Sequence, residues 1–355
     1  MSDSPTCLNA RTSLEAIRSL KQEFETAYDL AVSSGEEEDI KRAKELKHDL
    51  ETKMKALQEI LATQEAERLY DLRRQYEAQV TLLKNAGLVT EEGTETDAQG
   101  VERKILVMTG IDKKTYPVPS YETIVSRLYE QRDLFRTKAD QGFTKLLLVP
   151  FGMSLDEMIV KFKVHLLKYN GNNINRYKFN LNTKVPVWVW KEGYEEADVN
   201  GTLVYDPIAF DPTNQGGKTK TEILEMQNEN KDATAGWRVL MLQGGEGAKG
   251  YRSIPRSGKG QSKGTQRPRH DIEAGKSPTE YLAEQQLASK DKDSPYHGEH
   301  DMTPEEWVVM FMAHLEETGE PIDGNDHLSS RESIAYLIGV CFTDAKEIPI
   351  IYWDQ

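Results

Sequence analysis

Cysteine is scarce in this chain, and this scarcity excludes a disulfide-stapled scaffold. The 355 residues contain only Cys7 and Cys341, too few for a disulfide framework. We expect Cys7 to lie in a disordered tail over residues 1–11. Cys341 stands between Val340 and Phe342, which is typical of a small buried apolar side chain.

Long apolar runs and a secretory leader are also missing. No apolar run approaches the roughly 20 residues that a membrane-spanning helix needs. The first residues, Met-Ser-Asp-Ser-Pro, do not form a basic segment followed by an apolar one. We therefore expect a cytoplasmic protein without a membrane span.

Basic residues are outnumbered, which argues against nucleic-acid binding by the chain as a whole. The sequence has 59 acidic and 45 basic side chains, for a formal net charge of -14. A polyanion would be repelled by such a chain on average. The apolar content of 37% and charged content of 29% are typical of a soluble protein with two or three domains.

Proline and glycine are absent from residues 36–84, where apolar side chains recur three or four positions apart. One continuous helix here would be about 73 Å long. A shorter helix precedes it, with a possible capping box at Thr12 and Glu15. The pattern predicts a helical hairpin or coiled-coil arm over residues 12–84, with a bend or change of partner at 63–68. Burying its stripe requires another helix, so we expect self-association through residues 14–84.

After the arm, residues 85–100 are polar and predict a linker or an exposed hairpin tip. Strand and helix patterns then alternate over residues 101–170, which predicts a small α/β unit. Residues 171–355 read as a further α+β domain, with strands at 185–190, 202–205, 237–242 and 348–353 and a short helix at 333–338. Ser277-Pro278 and Thr303-Pro304 predict two helix starts.

A basic segment interrupts the acidic C-terminal half, inside a loop over residues 244–276 that we expect to be flexible. Its cations are Lys249, Arg252, Arg256, Lys259, Lys263, Arg267 and Arg269. Two interpretations stay open. The segment contacts phosphates or nucleic acid, or it is a solvated surface loop that pairs with the acidic remainder.

Other motifs favour ordinary structural roles. Gly245-Glu-Gly247-Ala-Lys-Gly250 matches a dinucleotide pattern, but no helical pattern follows it. His297, His300 and Asp301 lack a second ligand pair, and Asp323–Asp326 lacks the ligand order of a calcium loop. Tryptophans at 188, 190, 237 and 307 predict core packing, whereas Trp353 is expected near the surface. We predict no catalytic residue, cofactor or metal site.

The order of several C-terminal motifs resembles a known family. The motifs are Gly236-Trp-Arg-Val-Leu240, Ile254-Pro-Arg256, Ser277-Pro-Thr-Glu-Tyr-Leu282, Met302-Thr-Pro-Glu-Glu-Trp307, His314-Leu-Glu-Glu-Thr318, Ile322-Asp323 and Ile348-Pro-Ile-Ile-Tyr-Trp-Asp354. This order is similar to target proteins of diversity-generating retroelements. The resemblance implies a C-type lectin-like fold over residues 171–355 that presents a variable binding face. The chain ends at Gln355, where the variable segment would begin, so no binding residue is carried over.

These observations together predict an α+β protein that is a non-catalytic binding scaffold with a helical arm for oligomerisation or tethering. Its partner would be a protein or another macromolecular ligand. The alternative is a nucleic-acid-associated protein that uses the basic segment at residues 249–269.

Overall fold

A computed structural model describes residues 5–96, 102–171, 187–189, 195–245, 247, 249–252, 261–272, 275–322, 335–343 and 348–353. Its helices are α1 Pro5–Ser34, α2 Glu37–Tyr70, α3 Leu72–Asn85, α4 Tyr121–Glu130, α5 Arg132–Asp140, α6 Leu155–Gly171, α7 Lys220–Glu229, α8 Pro278–Lys290 and α9 Pro304–Thr318. Its strands are β1 Thr90–Thr96, β2 Glu102–Thr109, β3 Thr115–Pro117, β4 Phe143–Val149, β5 Val187–Val189, β6 Leu203–Tyr205, β7 Lys218–Thr219, β8 Arg238–Gln243, β9 Ser262–Lys263, β10 Arg269–His270, β11 Ala335–Tyr336, β12 Val340–Phe342 and β13 Ile350–Trp353. The predicted α+β class is confirmed.

The chain divides into two compact units. One comprises Met1–Leu72 with Ile124–Arg132, and the other comprises Arg73–Thr123 with Asp133–Gln355. The first unit contains α1, α2 and most of α4. The second unit contains the strands and the other helices.

Helices α1 and α2 form the predicted hairpin, joined by a short turn. Gly35 adopts a φ of 67°, and its N–H donates to the Ala31 carbonyl at 3.1 Å. The packed centre near this turn is small, because it consists of Ala27, Ala31 and Ala43 with Leu46 against them. Helix α1 has 30 residues and α2 has 34, so the two helices are of nearly equal length.

The start of α1 corrects one prediction. Residues 5–11 are helical and belong to α1, whereas we expected a disordered tail there. Thr12 and Glu15 therefore lie inside the helix and are not its cap. Proline is tolerated in the first turn, where its missing N–H costs no intrahelical hydrogen bond.

The long second helix is interrupted at Asp71, which corrects the prediction of one rod to residue 84. Asp71 adopts φ 50° and ψ 48°, and its N–H donates to the Glu67 carbonyl at 2.9 Å. Aspartate tolerates this left-handed conformation better than most residues, so the chain turns here. Almost all of α3 belongs to the second unit, and the arm ends near Leu72.

Helix α3 completes the edge of strand β4. The Gln75 side chain donates to the Thr144 carbonyl and accepts from the Leu146 N–H, both at 2.9 Å. Gln79 likewise accepts from the Leu148 N–H at 3.3 Å. Two glutamines, one helical turn apart, thus satisfy backbone groups that a neighbouring strand would otherwise pair with.

The strands pair antiparallel, which corrects the predicted linker and α/β unit. Residues 90–96, in the predicted linker, form β1 and pair with β2, which pairs in turn with β3. Strand β4 pairs with β8, nearly a hundred residues later in the sequence. Residues 101–170 are therefore not a separate domain, since their strand β4 is paired with β8 in the C-terminal half.

The first and last strands of the predicted lectin-like region pair with each other. Strand β13 lies between β5 and β11, and β6 lies between β12 and β7. Residues 335 and 336 are extended in β11, so the predicted helix at 333–338 is wrong there, because their pairing with β13 outweighs local propensity.

Helix α9 is the centre of the second unit. Every residue from Pro304 to Ala313 is buried, and α9 packs against α6 and β4. Phe162 of α6 meets Trp307 and Phe311 edge-on, with ring centroids 5.9 and 5.4 Å apart. The predicted Ser/Thr-Pro starts of α8 and α9 are confirmed.

The predicted burial of two tryptophans and one cysteine is confirmed. Trp237, Trp307 and Cys341 are buried, and burial raises the pKa of the Cys341 thiol to about 11. The side chains of the other tryptophans, at 188, 190 and 353, and of Cys7 lie outside the described residues.

Candidate functional site

The basic segment contributes several of its cations to internal ion pairs. Arg269 is buried and donates to both carboxylate oxygens of Glu299, at 2.8 and 2.7 Å. Lys138 donates to the same carboxylate at 2.6 Å. Arg252 pairs with the buried Asp271. Two of the predicted phosphate-contacting residues thus hold this part of the fold together.

The remaining described cations of the segment differ from one another in exposure and in contacts. Lys249 is exposed, and Lys263 is half-buried on β9. Arg267 donates to the Lys292 carbonyl at 2.5 Å. The other two predicted contacts, at positions 256 and 259, lie outside the described residues.

Gly245 and Gly250 of the glycine motif lie at the end of a β-hairpin. Gly244 bridges Tyr251, and the Gly245 N–H donates to the Gly250 carbonyl at 3.1 Å. A dinucleotide site needs a helix directly after the third glycine, and a bridged extended residue stands there instead. Gly250 has a φ of 59°, and a Cβ at this position would lie 2.6 Å from His314 Nδ1. Close packing against α9 thus explains this glycine.

The histidine cluster is likewise used structurally. His297 Nδ1 lies 2.9 Å from the Ser289 carbonyl, and His300 Nε2 lies 3.0 Å from Glu306 Oε1. Among the described residues, no three His, Cys, Asp or Glu side chains are grouped to hold a metal ion. The segment Asp323–Asp326 lies outside the part of the chain that the structure describes.

A buried charge cluster, which the sequence did not indicate, joins Lys220, Asp198, Glu305 and Tyr205. Lys220 is the first residue of α7, Glu305 lies in the first turn of α9, and Tyr205 lies on β6. Lys220 Nζ is 2.5 Å from Asp198 Oδ2 and 2.8 Å from Glu305 Oε1. The exposures of these three charged side chains are 0%, 1% and 0%.

Further polar contacts complete the cluster, apart from two oxygens. Lys220 Nζ also donates to the Met153 carbonyl at 2.7 Å, and the Tyr205 hydroxyl donates to Glu305 Oε1 at 2.6 Å. Within the described residues, Asp198 Oδ1 and Glu305 Oε2 are buried without a hydrogen-bond partner. Burial alone would lower the pKa of Lys220, but attraction to Glu305 and Asp198 outweighs it and raises that pKa.

A second buried ion pair lies beside the cluster. Arg238 on β8 donates to Glu306 at 2.8 Å, and His300 contacts the same carboxylate. Burial opposes ionisation of Glu306, but His300 and Arg238 outweigh it and lower its pKa to about 2. Glu306 also accepts from the Thr303 N–H at 3.0 Å, at the positive end of α9. This ion pair therefore links the start of α9 to strand β8.

Among the residues of these two clusters, Glu306 carries a local signal in the sequence. A capping box needs a single glutamate three residues after its cap, and Glu306 fills that role after Thr303. Glu305, which precedes it, is not part of the capping box, and no local rule predicts that it is buried. Lys220 and Asp198 are separated from it by about a hundred residues, so only the fold brings the three together.

The arm carries a second candidate surface. Its large exposed apolar side chains on one flank of the stripe are Leu14, Tyr28, Val32, Ile40, Met54 and Leu61. At about 100° per residue, the three residues of α1 lie to one side of the packed stripe of that helix. The three residues of α2 lie to the same side of their own stripe, when each helix is viewed from its amino terminus. Because the two helices run in opposite directions, both sets lie on one side of the hairpin. We call this surface the open side.

The fold and these two sites define an α+β protein with a helical hairpin and a scaffold that contains buried ion pairs. Comparisons with protein-family models, curated proteins and solved structures found no match to this chain. No helix in the described ranges has both the length and the apolar character to cross a membrane.

Proposed function

We propose that this chain is a non-catalytic binding protein that self-associates through its helical arm. The open side of the hairpin carries this proposal, because it leaves large apolar side chains uncovered on one surface. Exposed apolar surface that is rimmed by polar residues is typical of protein interaction sites.

The hairpin does not bury its own stripe. Between residues 27 and 62, the arm residues that are fully buried are all alanines. The larger side chains of the stripe are only half-buried, namely Ile17, Leu20, Phe24, Leu46, Leu50, Leu57 and Ile60. Two helices are too few to enclose such residues, whereas four helices enclose them in a bundle core.

A second copy of the chain is the occupant that best fits the open side. Two hairpins of matched helix length can pack through the same surface on both copies, as two-fold symmetry requires. Both helices interleave acids and bases, for example in the Arg11–Glu15, Lys21–Glu25 and Lys47–Glu51 pairs. The arm therefore avoids the like-charge repulsion that an all-acidic surface would produce.

For the second unit, we propose a lectin-like binding scaffold. The support is the motif order described above and the pairing of β5 with β13, which brings the two ends of residues 187–353 together. The buried positions of Lys220, Asp198 and Glu305 also favour a structural over a substrate-contacting role. The nucleic-acid alternative has weaker support, because Arg252 and Arg269 are ion-paired internally.

Sedimentation equilibrium of the full chain tests self-association, since a dimer has twice the monomer mass of 40.3 kDa. The test variant is Met54→Glu, on the open side at 55% exposure. Its control is Leu30→Glu, a 52% exposed leucine on the opposite side of the hairpin. We expect at least a tenfold weaker dimer for the first variant, from the cost of about 1.4 kcal/mol or more of burying a charge, and no change for the second.

A wild-type chain that stays monomeric at high concentration would refute the proposal. Equal weakening by both substitutions would also count against the open side as the interface. Circular dichroism of each variant confirms that the helices remain folded.

A further inference from the structure

We propose that Lys220 and Asp198 become joined by an intramolecular amide bond, with Glu305 transferring the protons. The cluster places a primary amine in contact with two carboxylates, and all three groups are removed from solvent. This goes beyond the binding function above, because it is a covalent modification that the chain makes on itself.

The geometry favours Asp198 as the acceptor. Lys220 Nζ is 2.5 Å from Asp198 Oδ2. The carbon that the amine would attack is bonded directly to this oxygen. The Leu155 N–H donates to the same oxygen at 2.9 Å. That donor stabilises negative charge on Oδ2 when the amine adds to the carbon. Holding amine and carboxyl group together replaces a bimolecular encounter with a much faster intramolecular one.

Glu305 is placed to move the protons. Its Oε1 is 2.8 Å from Lys220 Nζ and accepts from the Tyr205 hydroxyl at 2.6 Å. Its Oε2 is buried and has no partner within the described residues. A carboxylate in this position takes a proton from the amine and returns it to the departing oxygen.

The reaction is a balanced condensation. A proton first moves from the ammonium of Lys220 to the carboxylate of Asp198, so both groups are neutral. The bond from Nζ to the carboxyl carbon forms, and Glu305 takes a proton from the nitrogen. The bond from that carbon to one oxygen breaks, and the oxygen leaves as water with the proton that Glu305 returns. No oxidant, reductant or further reactant is needed.

The surroundings favour the amide over the ion pair. The rings of Phe151 and Tyr205 have their centroids 5.4 and 5.7 Å from Lys220 Nζ. One ammonium and two carboxylates leave an excess negative charge in this apolar setting, and the amide removes two of the three charges. Buried charge is costly, so its removal is favourable. The exclusion of water also slows hydrolysis of the product.

The Lys138–Glu299 pair serves as an internal control. Its ion-pair distance is 2.6 Å and both side chains are nearly buried. Both oxygens of Glu299, however, are held by Arg269, and Lys138 contacts no second carboxylate within the described part of the chain. We expect this pair to remain an ion pair, so the chain should lose one water molecule and not two.

Mass spectrometry of the denatured full-length chain, followed by tryptic peptide mapping, tests the proposal. We expect a branched peptide that contains Lys220 and Asp198 and is lighter than its two parts by one water molecule. The Lys220→Arg variant should give only unlinked peptides. The Asp198→Asn variant should form the same amide with loss of ammonia, and should match the linked wild type in mass.

Two results would overturn the proposal. The first is a wild-type chain that yields only unlinked peptides at its full sequence mass. The second is a branched peptide that joins Lys220 to Glu305, which would reject Asp198 as the acceptor. For Glu305→Gln, we expect folded protein by circular dichroism, with at least a tenfold smaller linked fraction. A fully linked Glu305→Gln variant would reject the proton-transfer role of Glu305.

Discussion

Replacing Gly250 by alanine should destabilise the second unit far more than the same change at Gly247. Both glycines lie in one hairpin end and have left-handed backbones, with φ of 59° and 63°. A Cβ on Gly250 would lie 2.6 Å from both His314 Nδ1 and Thr318 Cγ2, whereas no atom lies within 4 Å of a Cβ on Gly247. The two substitutions therefore share the same backbone strain and differ in the space available.

The expected magnitudes follow from these contacts. Left-handed alanine costs about 1 kcal/mol, which is the whole effect at Gly247. At Gly250, overlap with the half-buried His314 and Thr318 of α9 adds about 1 to 3 kcal/mol. Displacement of His314 also removes the 2.9 Å bond from the Tyr251 N–H, worth about 1 kcal/mol. The sum for Gly250→Ala is about 3 to 5 kcal/mol.

Urea unfolding of the full chain, followed by tryptophan fluorescence, measures both effects. We expect a lower urea midpoint for Gly250→Ala with an unchanged denaturant slope. Equal and small effects at the two positions would refute it. They would mean that the hairpin end is a flexible loop not packed against α9, as expected from the sequence alone.

Three further predictions concern single side chains. Burial lowers the pKa of His314 from 6.5 to about 4, so the unfolded chain binds more protons between these pH values. The free energy of unfolding therefore falls as pH falls from 6.5 to 4. In His314→Gln the urea midpoint should depend less steeply on pH in this window, and an unchanged dependence would contradict the assignment. Arg269→Ala should cost about 3 to 5 kcal/mol by urea unfolding, because it removes the bidentate partner of buried Glu299, whereas a cost below about 1 kcal/mol would indicate an exposed, phosphate-available arginine. Cys341 is fully buried with its pKa raised to about 11, so a thiol reagent should modify it only in urea, and rapid native labelling located by peptide mapping would contradict its burial.

Local patterns in the sequence were sufficient for several elements. Ser277 and Thr303, each followed by proline, marked the starts of α8 and α9 because capping and proline geometry act within one helical turn. The hairpin followed from apolar spacing and the turn at Gly35. Its amino-terminal extent did not, because the polar first turns of α1 carry little periodic signal.

Pairing across long distances was not predictable. Strand β4 is apolar, but nothing local identifies β8 as its neighbour on one edge or Gln75 and Gln79 as its partners on the other. The same limit hid the contacts of Lys220, since a lysine in a capping sequence looks like an ordinary exposed residue. Such contacts depend on the whole fold, and only coordinates place them.

Hydrogen exchange at two protein concentrations tests whether the chain self-associates through the arm. Dilution of a dimer below its dissociation constant removes the packing that protects the arm. Amides of α1 and α2 should exchange faster in the dilute sample, while those of the buried helix α9 should keep their rate. Exchange that is independent of concentration throughout α1 and α2, in samples that span the range of the sedimentation experiment, would contradict it.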